Sequence, residues 1–191
     1  MKEMSSVKRA CICAVCIALC YVLPMVFHTF GAGEVLLPMH IPVLLCGLIC
    51  GWSYGAFCGV AGPVLSCVLS GMPSAAGLVS MAPELCVYGL ASGLLLRFVH
   101  TKSTYADLYI ALVCAMLLGR VVGGAAKVLF YLSGLSGMST LSFPLLASGY
   151  FVQGLPGIAI QLLILPTLVF TLMKARLIPE RYPRKRRGET A

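Results

Sequence analysis

Charge is what this sequence has least of. Only 10% of its 191 residues are Asp, Glu, Lys or Arg, and just six are acidic, where soluble domains carry roughly 25% charged residues. Hydrophobic residues make up 60% and the mean hydropathy is +0.98. So little polar surface cannot wrap a water-soluble globule, which excludes an ordinary soluble domain. Short catalytic signatures are missing as well. The sequence has no G-x-x-x-x-G-K-[ST], H-E-x-x-H or G-x-S-x-G, so ATP hydrolysis by the P-loop route and the common zinc-protease and serine-hydrolase chemistries are not expected of this chain. It shows no parallel or inverted internal repeat of the kind that secondary carriers use.

What is there is a series of apolar stretches. A helical span needs about 20 apolar residues, so the length accommodates at most six or seven with short loops. The stretches fall at about 10–27, 35–52, 54–70, 81–99, 106–132 and 144–173, followed by a basic tail over 174–191. Met1 to Arg9 is short and basic, as in a secretory signal. The apolar run after it is long for a signal core, and everything downstream is also membrane-like, so it reads as the first span. Pro38 and Pro42 interrupt the second stretch, leaving Ile41 to Trp52 as continuous helix, short of the hydrocarbon thickness. Gly154-Leu155-Pro156-Gly157 breaks the sixth. The expectation is an all-α integral membrane protein: one membrane domain, a compact bundle of six transmembrane helices.

The formal charge of +8 could suggest nucleic acid, so position must decide. Six spans put both ends on one side, with Lys2, Lys8, Arg9, Arg97, Lys102, Lys174, Arg176 and the five basic residues of Arg181–Arg187. The three loops assigned to the other side hold no Lys or Arg. The positive-inside rule then places both termini in the cytoplasm and calls for no nucleic-acid partner.

Three ionisable residues fall within the spans: Glu84, Arg120 and Lys127. Glu84 is expected in the first turn of the fourth span, near the outer face. Arg120 and Lys127 are expected about 21 and 31 Å along the fifth, two turns apart on one face and flanked by Gly119, Gly123 and Gly124. Intramembrane charge is costly and lines a site or pairs, so these residues suggest an outward-opening polar pocket between the fourth and fifth helices. Plainer roles stand beside that one. With Ser80 as N-cap and Pro83 in the first turn, Glu84 would complement the helix dipole. Lys127 would snorkel to headgroups, and Glu84 with Arg120 would be a structural pair.

His28, Glu34, Met39 and His40 lie in or beside the first outer loop. Two histidines twelve apart make a weak metal set, so no metal is expected, and His40 reads as a hydrogen-bonding group at the pocket mouth. Ten cysteines, all inside apolar spans, read as small apolar filler. In the first span, Ala10, Ala14 and Ala18 form a smooth stripe on which another helix can pack.

Together the six spans, the alanine stripe and the segments Leu37-Pro38-Met39-His40-Ile41-Pro42-Val43-Leu44-Leu45, Gly51-Trp52-Ser53-Tyr54-Gly55-Ala56, Ser70-Gly71-Met72-Pro73 and Pro83-Glu84-Leu85-Cys86-Val87-Tyr88-Gly89 carry a resemblance. The chain resembles the substrate-binding S component of an energy-coupling factor (ECF) transporter, in the vitamin-type branch that includes pantothenate and queuosine-precursor members. The resemblance implies a multi-pass protein of the bacterial cell membrane, and docking of Ala10, Ala14 and Ala18 on a transmembrane coupling subunit driven by two ATPases. ATP would be consumed by those partners, so no cofactor is expected in this chain. It also implies capture of a micronutrient near the outer face, closure of the outer loops, Gly134 to Ser142 among them, and toppling of the subunit to release ligand inward. Metal-type members rely on an extreme N-terminal histidine; Lys2 stands there instead. In such a site Arg120 would meet a carboxylate, as pantothenate has, and Glu84 would accept from an amine, as a deazapurine has. The sequence leaves that choice open. Two rivals remain: a small membrane enzyme acting on lipid-linked substrates, with Asp107 at the cytoplasmic border, and a stand-alone carrier or channel.

Overall fold

A computed structural model of the chain describes residues 4–29, 38–101, 103–133 and 154–175. Among the described residues the protein is all helical, with six helices: α1 Ser6–Thr29, α2 His40–Cys50, α3 Trp52–Ser70, α4 Ala75–Phe98, α5 Thr104–Leu132 and α6 Leu155–Lys174. All but α2 are long and apolar enough to cross a membrane. With 11 residues, α2 rises about 16 Å, half of the roughly 30 Å hydrocarbon layer.

Helix directions follow from side-chain contacts. The Cys20 thiol donates to the Met39 carbonyl and the Cys50 thiol to the Arg9 carbonyl, so α1 and α2 are antiparallel. Cys13 reaches the Tyr54 carbonyl and Cys20 packs on Gly62, so α1 and α3 are parallel. Gly55 meets Gly89 and Gly59 meets Leu85, which sets α4 against α3. The rings of Tyr105 and Phe170 stack at 3.9 Å while Arg120 lies against Gly154, so α6 runs back along α5. The bundle thus alternates up and down, and the starts of α1, α3 and α5 share one end with the finish of α6.

The corner between α2 and α3 is Gly51, at φ 98° and ψ 173°, a backbone region essentially confined to glycine. It lets α3 double back so tightly that Gly47 and Gly55 touch. Lipid tails are as apolar as leucine, so helices in a membrane associate through close packing rather than hydrophobic burial. Here α3 and α4 approach backbone to backbone at Gly55 and Gly89. On the other side of α3, six buried cysteines fill the seam with α1 and α2: Cys13, Cys16, Cys20, Cys46, Cys50 and Cys58. The Cys46 thiol touches those of Cys16, Cys50 and Cys58, and Cys20 touches Cys58. Among the described residues α6 touches α5 and α2 along short stretches.

Several expected boundaries shift. The fourth helix begins at Ala75, not Met81, and its N-cap is Ser74, whose hydroxyl accepts from the Gly77 N–H at 3.3 Å. Ser80 instead donates to the Gly77 carbonyl. Pro83 looks like a first-turn residue, yet the helix runs through it, as helices surrounded by other helices can. The second and third stretches divide at Gly51 rather than Ser53, and the sixth helix is described from Leu155. Glu34, the loop over Gly134 to Ser142, residues 144–153 and the basic tail from 176 onward lie outside the described residues.

Candidate functional site: a buried carboxylate flanked by arginine, histidine and tyrosine

The shifted start of α4 changes the place of Glu84. It stands in the third turn, nearly enclosed at 5% exposure, and so cannot serve the helix N-terminus. It is about 21 Å above the Phe98 end, Arg120 about 24 Å above Thr104, and His40 about 16 Å above the Gly51 corner. Three helices bring these groups to similar depth, in the interior of the bundle.

Their geometry centres on one oxygen. Tyr88, one turn along α4, donates its hydroxyl to Glu84 Oε1 at 3.2 Å. Arg120 Nε stands 3.8 Å from the same atom, and His40 Nε2 stands 3.6 Å from it. The His40 ring meets the Tyr88 ring edge-on at 5.1 Å. Arg120 and His40 are themselves 5% and 2% exposed. A carboxylate this deep stays charged only beside donors and opposite charge, and the cluster supplies both.

Backbone shape places each member. Pro42 sits in the first turn of α2, where its missing N–H costs nothing because that donor has no partner within the helix. The short helix can therefore start inside the bundle and carry His40 there. Gly119 leaves room for the Tyr88 ring on α5, and Gly154 leaves room for the Arg120 guanidinium at the head of α6. Among the described residues, neither ring nitrogen of His40 is within hydrogen-bond distance of a partner. On its other side Arg120 borders a cavity of about 210 Å³ between α5 and α6.

The sequence named Glu84, Arg120 and His40, and the fold gathers all three. His40 is central rather than at the mouth. Lys127 is exposed, two turns farther along α5, and outside this cluster. His28 is exposed and Met39 buried; among the described residues no three His, Cys, Asp or Glu side chains are arranged to hold a metal ion. Ala10, Ala14 and Ala18 are all exposed, on the face of α1 opposite its buried cysteines. Asp107 is fully buried and accepts from the Thr101 N–H at 2.7 Å and hydroxyl at 2.5 Å, so it ties the α4–α5 turn. Two residues went unread as site candidates. Tyr88 lies one turn from Glu84, the spacing of side-chain pairs on a helix. Gln161 is 2% exposed, a polar side chain in the middle of an apolar helix, which the rule for intramembrane polar residues would have flagged.

Comparison with curated proteins and with solved structures gives no match. The model of the family "ECF transporter, substrate-specific component" matches residues 8–169, a stretch that takes in α2 to α5 whole and most of α1 and α6, with all four members of the polar cluster. These components are the substrate-binding subunits of transporters rather than enzymes. The chain belongs to the substrate-specific component family of ECF transporters: it is a multi-pass membrane protein that binds a small molecule and associates with the ECF coupling and ATPase modules.

Proposed function

We propose that this chain captures a carboxylate-bearing micronutrient from the outer face of a bacterial plasma membrane, and that Arg120 and His40 contact it. The observation that supports this reading is the buried arrangement of Arg120, Glu84, His40 and Tyr88. Glu84 Oε1 already accepts from Tyr88 and stands beside two nitrogen-bearing side chains, so Glu84 orients them rather than serving a ligand amine. A guanidinium held that way is the preferred partner of a carboxylate, because its N–H groups match the two oxygens. Of the two ligand classes that the resemblance implies, pantothenate carries a carboxylate and fits better than a deazapurine amine. Lys127, exposed nearer the outer end of α5, meets the ligand before it enters or the headgroups around the entrance.

Orientation rests on charge. Lys8, Arg9, Arg97 and Lys174 lie at the end shared by the starts of α1, α3 and α5, which the positive-inside rule makes cytoplasmic. In this topology α2 counts as a short sixth span, with both termini inside. The exposed Ala10, Ala14 and Ala18 then face lipid or the coupling subunit, and toppling against that subunit would carry the site inward.

Two outcomes are expected. Ala14→Trp should cut recovery of the coupling subunit and its ATPases in co-purification at least tenfold while leaving ligand affinity within twofold; undiminished recovery would move the docking face elsewhere. Gly154→Ala places a methyl group where the Arg120 guanidinium lies. An arginine tip can shift, so the thermal midpoint should hardly change, but ligand affinity should fall about tenfold, as when one charge-assisted hydrogen bond is lost. Unaltered affinity would take Arg120 out of the site.

A further inference from the structure

The cavity beside Arg120 says what the rest of the ligand is like. Val113, Met116 and Leu117 of α5 face Leu155, Ile158 and Leu162 of α6 across it, and Arg120 is the only polar residue among the described ones that line it. We infer that the ligand is a small amphipathic monocarboxylate, whose acid group meets Arg120 and whose hydrocarbon body lies between α5 and α6. This deepens the carboxylate reading above and rests on it, and it narrows that reading to acids less polar than pantothenate, whose body carries two hydroxyls and an amide.

At about 210 Å³ the cavity is smaller than the ~300–1,000 Å³ of pockets that enclose drug-sized molecules. It therefore suits a short chain or a compact branched body. A hydroxyl or amide carried into this wall would lose its hydrogen bonds to water and find no replacement, at a cost of about 1–3 kcal/mol each. Hydrocarbon loses nothing there. A charge at the far end of the ligand is excluded more strongly for the same reason, whereas a charge at the near end falls beside a guanidinium that is itself 5% exposed. Leu117 and Leu155, which line the cavity, are exposed among the described residues, and the opening between them gives such a body a way in.

The test uses the full chain in lipid nanodiscs and a medium-chain fatty acid that carries a diazirine near its methyl end. Irradiation followed by peptide mass spectrometry should place the label on residues 113–117 and 155–162. Octanoate should suppress labelling at least tenfold more effectively than octan-1-ol or octylamine at equal membrane concentration. Arg120→Ala should remove that preference for the acid, and Leu162→Phe, which fills the cavity and leaves the charges alone, should lower labelling at least fivefold. Equal suppression by the alcohol would show a crevice filled by any chain and would overturn the inference, as would labelling unchanged in Leu162→Phe. The carboxylate reading is scored separately, by Gly154→Ala against the ligand retained on purification. A retained acid whose body is polar would sink only the hydrocarbon inference.

Discussion

Replacing Glu84 by alanine is expected to cost the folded chain about 3–5 kcal/mol, the usual penalty for removing one partner of a buried ion pair. Arg120 would keep its charge at 5% exposure and lose the carboxylate 3.8 Å from its Nε. Tyr88 would lose the acceptor of its hydroxyl. Arg120→Met in the same background should restore a large part of the loss, since an apolar side chain of similar length needs no counter-ion. A double-mutant cycle should therefore give a coupling of about 1–3 kcal/mol, the range for residues in one network. Tyr88→Phe, which removes one hydrogen bond, should cost only about 1 kcal/mol. Thermal unfolding read by a thiol-reactive fluorophore suits the protein, because unfolding exposes six buried cysteines in the α1–α2–α3 seam. Additive losses from the two single variants would mean that the two groups are neighbours without being partners.

Gly89→Val is expected to be more damaging still, at about 4 kcal/mol or more, among the largest effects of single substitutions. A Cβ at position 89 would meet the Gly55 carbonyl, and a Cβ at 55 would meet the Gly89 carbonyl. Both obstacles are helix backbone, so no rotamer change relieves them and α3 must move away from α4. That separation forfeits close contact all along the seam, and in lipid no hydrophobic term offsets the loss. The bundle should fail to yield monodisperse protein, or unfold at much lower temperature. Gly77→Ala is the control on the same helix. Its added Cβ finds its nearest neighbours at 3.4 and 3.5 Å, ordinary contact, so it should be neutral or mildly stabilising. A tolerated Gly89→Val would contradict the packing described for α3 and α4.

Much of this arrangement was legible in the residues, for reasons that membranes simplify. Where charge is scarce, each intramembrane ionisable group has to be explained, and Glu84, Arg120 and Lys127 stood out on that ground, while His40 was read only as a hydrogen-bonding group beside the first outer loop. The prolines at 38 and 42 marked the second helix as short. Pro83 misled: it signals a helix start in water, but α4 is supported by α3 and α5 and continues through it, which moved Glu84 from the rim into the interior. Spacing along one helix could pair Arg120 with Lys127, but only the ends of neighbouring helices decide that Arg120 is enclosed and Lys127 exposed. The cysteines were legible as filler but not as one cluster, since their convergence depends on α1, α2 and α3 meeting. The glycines at 55 and 89 drew no notice singly, because close approach belongs to a pair of helices and neither helix shows it alone.

The central claim is that a small molecule is held at the Glu84–Arg120–His40 cluster and passed to a shared ATP-driven module. The most direct measurement is native mass spectrometry of the chain purified gently with its coupling subunit and ATPases, for the wild type and for Gly154→Ala. The account predicts one retained acid per chain in the wild type, largely lost from Gly154→Ala at unchanged thermal midpoint, and released from the wild-type complex by ATP. Equal retention by both proteins, or a chain that never associates with the coupling subunit, would contradict it.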